Sequence, residues 1–214
     1  MRERPMNAFL TQALRDAQLR RPHGEDSTPA VLDDTPELDA VAIAAAAGDA
    51  EAVGRLYDAL VGPIYRYVSV RVRRREDAED LTQLVFERIV ASLPRYRHRG
   101  RPFEAWAFRI ARNAVIDHVR RERSHEPLDG DRMSFQGDGG PEAISLRGEQ
   151  MRELRAAMQQ LTADQQEAIA LRFAAGLSAD EAAQVMGRQP GTIRGLTFRA
   201  IATLRRRLGR EPDR

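Results

Sequence analysis

Residues Glu126 to Pro141 contain the run DGDRMSFQGDGGP, which has no apolar period and too little apolar surface to offset the entropy of ordering it. A chain interrupted in this way folds as two blocks joined by a linker. A second stretch of the same kind, Pro22 to Pro36, mixes Pro, Gly, Ser, Thr and acids and sets off the N-terminus. The expected organisation is an N-terminal extension over 1–38, largely disordered, a first domain over 39–125, a flexible acidic linker over 126–148 and a second domain over 149–210. Within the extension, Phe9, Ala13, Leu14 and Ala17 share one side of a short helix over Ala8 to Arg20.

Both blocks have apolar residues at helical spacing and few β-branched runs, so the fold class is all-α with two helical domains. The period predicts helices at about 39–47, 49–73, 77–93 and 103–122, then at about 142–160, 163–175, 179–186 and 191–208. Thr162 with Gln165 and Ser178 with Glu181 have capping-box spacing, and Gly176 and Gly187 stand where helix C-termini take a left-handed residue. The last three helices therefore form a helix-turn-helix unit.

Composition excludes several classes of function. No stretch approaches the roughly 18 uninterrupted apolar residues of a spanning helix, and the start MRERPMNAFL has acid and proline where a signal peptide has its apolar core. A cytoplasmic location without membrane insertion is expected. With no Cys, disulfide frameworks, thiol nucleophiles and thiolate metal sites are all excluded. All 34 basic residues are Arg, so every cation here is a planar fork suited to phosphate and base edges.

The formal charge of +2 hides a segregation. Residues 1–40 hold 5 Arg against 8 acids, 41–125 hold 16 against 11, 126–150 hold 2 against 6, and 151–214 hold 11 against 7. Two basic blocks on an acidic connector fit two nucleic-acid-facing domains better than ordinary solvated charge.

On a helical wheel of the final helix, Ile193, Leu196, Ala200, Leu204 and Leu208 gather on one side, facing Ala182, Ala183, Val185 and Met186 of the helix before it. Arg194, Gly195, Phe198, Arg199, Arg205 and Arg206 lie on the other. Seven Arg and no acid stand between Arg188 and Arg210, the pattern of a helix that enters a major groove. In the helix Phe103 to Arg123, Trp106, Arg109, Asn113, Asp117 and Arg120 line one stripe, preceded by the basic loop PRYRHRGR. An amide and an aromatic on a basic helix suit unpaired bases. The helix Asp77 to Leu93 buries Leu81, Leu84, Val85 and Ile89 and shows Asp80, Gln83 and Glu87, with Phe86 and Val90 at the edge of that face. Such a face serves a protein partner or plain packing, and the wheel does not choose.

The stretch DAEDLTQLVFERI, followed by RYRHRGRPFEAWAFRIARNAVIDHVRRER, resembles regions 2.2 to 2.4 of extracytoplasmic-function (group 4) sigma factors of the sigma-70 family. LTADQQEAIALRFAAGLSADEAAQVMGRQPGTIRGLTFRAIATLRRRL resembles their region 4, and residues 49–76 are similar to region 2.1. The resemblance implies a promoter-specificity subunit of RNA polymerase that acts by binding, without chemistry or cofactor of its own. Its implied partners are core polymerase (the β′ clamp and β flap) and promoter DNA, and the family admits an anti-sigma protein. Carried over residue by residue, it places polymerase binding on Asp80, Gln83 and Phe86. Capture of minus-10 bases falls on Arg109, Arg112, Asn113, Asp117, Arg120 and Arg121, and minus-35 readout on Thr192, Arg194, Phe198 and Arg199. The acidic residues Glu126, Asp129, Asp131 and Asp138 fit a connector that lies in a path otherwise taken by nucleic acid. Gly195 departs from the family, which usually has a small hydroxyl residue there.

Two other classes compete. A metal-dependent hydrolase finds little support: among His23, His98, His118 and His125, only His118 and His125 are helically spaced, and no carboxylate pair is placed to complete a metal set. No phosphate-binding Gly loop is present. No catalytic or metal residue is therefore expected. A stand-alone helix-turn-helix regulator is the closer rival, and it differs in binding duplex DNA without polymerase.

Overall fold

The computed structural model describes residues 35–125 and 156–208. The expected helix at Ala8 to Arg20, the linker and residues 142–155 of the expected helix at 142–160 lie outside the described residues, and the described end of that helix gives way to a turn at 159–160. Among the described residues there is no strand.

Helix α1 spans Thr35–Ala46 and ends in a turn at Gly48, whose φ of 101° is open to glycine at little cost. Asp49 then caps α2, Ala50–Ser69, its carboxylate accepting from the N–H groups of Glu51 at 2.9 Å and Ala52 at 3.2 Å. Helix α3 is Arg75–Ser92 and continues into a 3-10 turn at Leu93–Arg95. Helix α4, Phe103–His125, has a cap from outside its own segment: Asp39 of α1 accepts from Phe103 N–H at 2.7 Å. Leu56, Leu60, Ile64 and Val68 of α2, Val85 and Ile89 of α3, and Phe103, Phe108, Ala111 and Val115 of α4 form the interior of this four-helix unit. The expected helix at 49–73 stops at Ser69, and the arginine-rich segment beyond it turns back toward α3.

In the second unit α5 is Ala163–Ile169, and both capping boxes read from the sequence are formed, at Thr162/Gln165 and at Ser178/Glu181. The expected single helix over 163–175 widens into a π segment at Ala170–Ala174, where Ala175 N–H reaches Ala170 C=O at 3.0 Å. Gly176 ends it at φ 83°. Helix α6, Ala179–Met186, ends at Gly187 in the left-handed conformation (φ 63°, ψ 39°), and α7 runs Pro190–Leu208. Gln189 is no side-chain cap, but its carbonyl accepts from Thr192 N–H at 2.9 Å and starts the helix from the backbone. Ile193, Leu196 and Ala200 are buried toward α6, as the wheel predicts.

The two units also pack on each other: α4 lies against α6, and α2 against the π segment, so one apolar core runs through both. Nothing in the local sequence pattern announces this contact.

Candidate nucleic-acid interface

The stripe on α4 is positioned from its N-terminus. Besides the Asp39 cap, Tyr96, Phe103 and Trp106 form an aromatic cluster with ring centroids 5.1–5.2 Å apart, which leaves Trp106 half-buried. Beyond it Arg109, Asn113, Asp117, Arg120 and Arg121 are exposed, together with Arg95, Arg97, Arg99 and Arg101 of the preceding loop. Asp117 lies 4.0 Å from Arg88 of α3, and its carbonyl accepts from Arg121 Nε at 3.2 Å. Arg112 is different. It turns toward the second unit, with Nε 3.7 Å from a carboxylate oxygen of Glu167 on α5.

On α7, Thr192, Arg194, Phe198 and Arg199 are all exposed. Phe198 has 76% of its surface open to solvent, which no packing role explains. Arg194 lies 3.6 Å from Asp180 of α6.

The third predicted face needs a correction. Asp80 and Gln83 are exposed, but Phe86 is 2% exposed and belongs to the core, its ring 4.6 Å from that of Tyr57 and tilted by 54°. The buried arc of α3 is Ala78, Leu81, Thr82, Val85, Phe86 and Ile89, while Leu84 is only half-buried. A single wheel fails here because α3 is packed on two sides, by α2 and by α4, which widens the arc. Phe86 instead floors a groove walled by Tyr57, Tyr65, Glu79 and Gln83.

The placement of four acidic residues, Glu167, Glu104, Asp77 and Glu122, could not be seen in the sequence. Glu167 is buried between the units: Tyr67 donates its hydroxyl at 2.7 Å, and Arg71 Nη2 lies at 3.3 Å. Burial, and then the Glu167 charge, push the Tyr67 phenol well above its ordinary value, so its proton stays in this bond. Glu104, in the first turn of α4, is 1% exposed and has one carboxylate oxygen without a partner. Burial is the main reason its carboxyl is pushed up to about 7. Finally, Asp77 and Glu122 do place carboxylates beside His118, at 4.0 and 3.6 Å, with all three ligand atoms within 4.8 Å of one another. The sequence reading found no such pair because Asp77 comes from another helix. The cluster brings the start of α3 beside α4.

Comparison with known proteins matches the model of Sigma-70 region 2 to residues 56–125 and that of Sigma-70 region 4 to residues 151–204. The ECF RNA polymerase sigma factor BldN of Streptomyces coelicolor is 38% identical over 186 residues, covering 84% of this chain and 69% of that protein. The chain belongs to the ECF sigma-70 family. SigD of Mycobacterium tuberculosis, another ECF sigma factor, is 34% identical over 78% of this chain and 82% of its own. Among solved structures, CnrH in complex with the cytosolic domain of CnrY aligns at a TM-score of 0.62 and 25% identity, over 79% of this chain and 96% of CnrH. In this sigma factor the region 2 match begins in α2 and ends with α4, and the region 4 match takes in α5 and π segment, α6 and most of α7. A stand-alone helix-turn-helix regulator would account for the second match and leave the first unexplained.

Proposed function

We propose that this sigma factor, acting in the cytoplasm as a binding subunit and not an enzyme, brings core RNA polymerase to promoters and assists their melting. Its region 2 domain would span 39–125, its linker 126–148 and its region 4 domain 149–210. The observation that carries the reading is the joint occurrence, in chain order, of the region 2 and region 4 matches, each with an exposed basic helix. Arg109, Asn113, Asp117, Arg120 and Arg121 face solvent on α4, where flipped minus-10 bases would meet an amide and several guanidinium groups. Thr192, Arg194, Phe198 and Arg199 would read the minus-35 duplex through the major groove. Asp80 and Gln83 would meet the β′ clamp, with Phe86 supporting the groove from below and not acting as an exposed anchor. Region 4 would meet the β flap, and an anti-sigma protein is a further partner that this reading admits.

In vitro transcription with core polymerase on fragmented DNA from the source genome tests it. Start sites that depend on the added protein and share sequence at both elements are expected. Absence of any dependent start site would overturn the reading.

A further inference from the structure

The contact between the two units is built around one carboxylate and an excess of donors. Glu167, with 4% of its side chain exposed, accepts from the Tyr67 hydroxyl at 2.7 Å and lies 3.3 Å from Arg71 and 3.7 Å from Arg112. Arg66 Nε closes the same seam on the Ala174 carbonyl at 3.1 Å. Yet the guanidinium groups are not satisfied: Nε and Nη1 of Arg71 and Nε of Arg112 are buried without a hydrogen-bond partner. Arg71 keeps only 12% of its side chain in solvent. Two partly buried cations thus share one anion, with three buried donor nitrogens left over, and burial without a partner is costly. The cradle on the first unit carries two positive charges against the single negative charge of Glu167.

The closed arrangement is also the wrong shape for a promoter. Elements at minus-10 and minus-35 are separated by about 80 Å of duplex at 3.4 Å per base pair. Here α4 packs on α6 and α6 on α7, two steps of roughly 8–10 Å each. The units must part before both helices engage DNA, and parting removes Glu167 from the cradle. Tyr67, Arg71 and Arg112 are then left facing solvent with one hydroxyl and two cations converging on a single point.

We propose that Tyr67, Arg71 and Arg112 form an anion cradle that Glu167 fills in cis, latching the chain closed, and that a phosphodiester of promoter DNA fills once region 4 moves away. The proposal rests on the reading of α4 as the minus-10 helix and adds Tyr67 and Arg71, from α2 and the segment after it, to that surface. A phosphodiester, like a carboxylate, spreads one charge over two oxygens that accept from forked donors, so it can take the place of Glu167 among these groups.

The test uses the full chain. It contains no Cys, so Ala91→Cys and Ala202→Cys, at exposed positions on the two units, accept a dye pair uniquely. At low salt the parent chain should show high energy transfer. Glu167→Gln should lower it and raise affinity for a mixed-sequence single-stranded 12-mer by about tenfold, because a charge-assisted bond and its competition are both lost. In the Glu167→Gln background, Arg71→Gln should weaken 12-mer binding several-fold and reduce the salt slope by about 0.7, the signature of one lost phosphate contact. Inorganic phosphate at the same concentration should not compete. Unchanged transfer in Glu167→Gln overturns the latch, and an unchanged slope on adding Arg71→Gln overturns the phosphate site. Competition by inorganic phosphate would likewise overturn the assignment to DNA. The exchanged pair Arg71→Glu with Glu167→Arg guards against misfolding: it should restore transfer but not 12-mer affinity, and failure to restore transfer in a chain of normal helicity counts against the latch. Transcription by the parent chain with core polymerase is read separately, so loss of the sigma reading would leave the cis contact standing, and the reverse.

Discussion

Phe86 is held between Tyr57, 4.6 Å away, and the core shared by α2, α3 and α4, so its removal opens a cavity and does not merely trim an interface. Phe86→Ala should destabilise the chain by about 3–5 kcal/mol in urea unfolding, the range for buried aromatic truncations. A loss below about 1 kcal/mol would return Phe86 to the surface role that the wheel suggested. Glu104 carries a different signature. Burial, opposed in part by a backbone hydrogen bond, and then the nearby Glu181 and Asp39, move its carboxyl from 4.5 to about 7. Between those values the folded chain holds a proton that the unfolded chain has released, so stability falls as pH rises through the window and levels off above it. Glu104→Gln should remove that fall. Urea midpoints at intervals from pH 5 to 8 should diverge between variant and parent up to about pH 7, and parallel curves would show that the carboxyl is not the cause.

At the scale of elements, the proposed readout has α7 present Arg194, Phe198 and Arg199 to duplex, yet it has Gly195 in its interior. A methyl group built there meets only the Arg199 guanidinium, 3.6 Å away, which is ordinary contact with the end of a flexible side chain. Gly195→Ala should therefore stabilise α7 by about 0.5–1 kcal/mol, seen as a higher melting temperature. If minus-35 binding falls at the same time, close backbone approach to DNA is what the glycine provides. The π segment at Ala170–Ala174 works on the same scale, since its wider turn leads into Gly176 and the seam where the Ala174 carbonyl meets Arg66.

At the scale of the whole molecule, the proposed function has the two basic helices divide the work. Asn113 is exposed mid-stripe on α4, and its amide can both donate to and accept from a base edge that is free only after the base leaves the duplex. Arg199 is exposed on α7, where in the proposed function its guanidinium would meet guanine or phosphate in intact duplex. Holoenzyme with Asn113→Ala should still form closed complexes, show weaker permanganate reactivity at minus-10 thymines, and be rescued in part by a premelted template. Arg199→Ala should lose closed-complex affinity by about 1–3 kcal/mol with little rescue. Identical behaviour of the two variants on duplex and premelted templates would collapse the division into a single duplex-binding step.

What the sequence determined by itself is what depends on residues a few positions apart. Thr162 with Gln165 and Ser178 with Glu181 close their capping boxes, Gly187 takes the left-handed turn, and Ile193, Leu196 and Ala200 of α7 are buried as its period requires. Exposure of Arg109, Asn113 and Phe198 follows from the same short-range periodicity. The tertiary structure decided what depends on which element lies alongside. Phe86 is core because α3 has two neighbours, and Asp77 reaches His118 from another helix. Glu167 finds Tyr67 from 100 residues away, and Arg112 turns toward the same carboxylate and away from the exposed stripe of α4. A helical period fixes which side of a helix is apolar, but it carries no information about the partner that a buried charge meets across the chain.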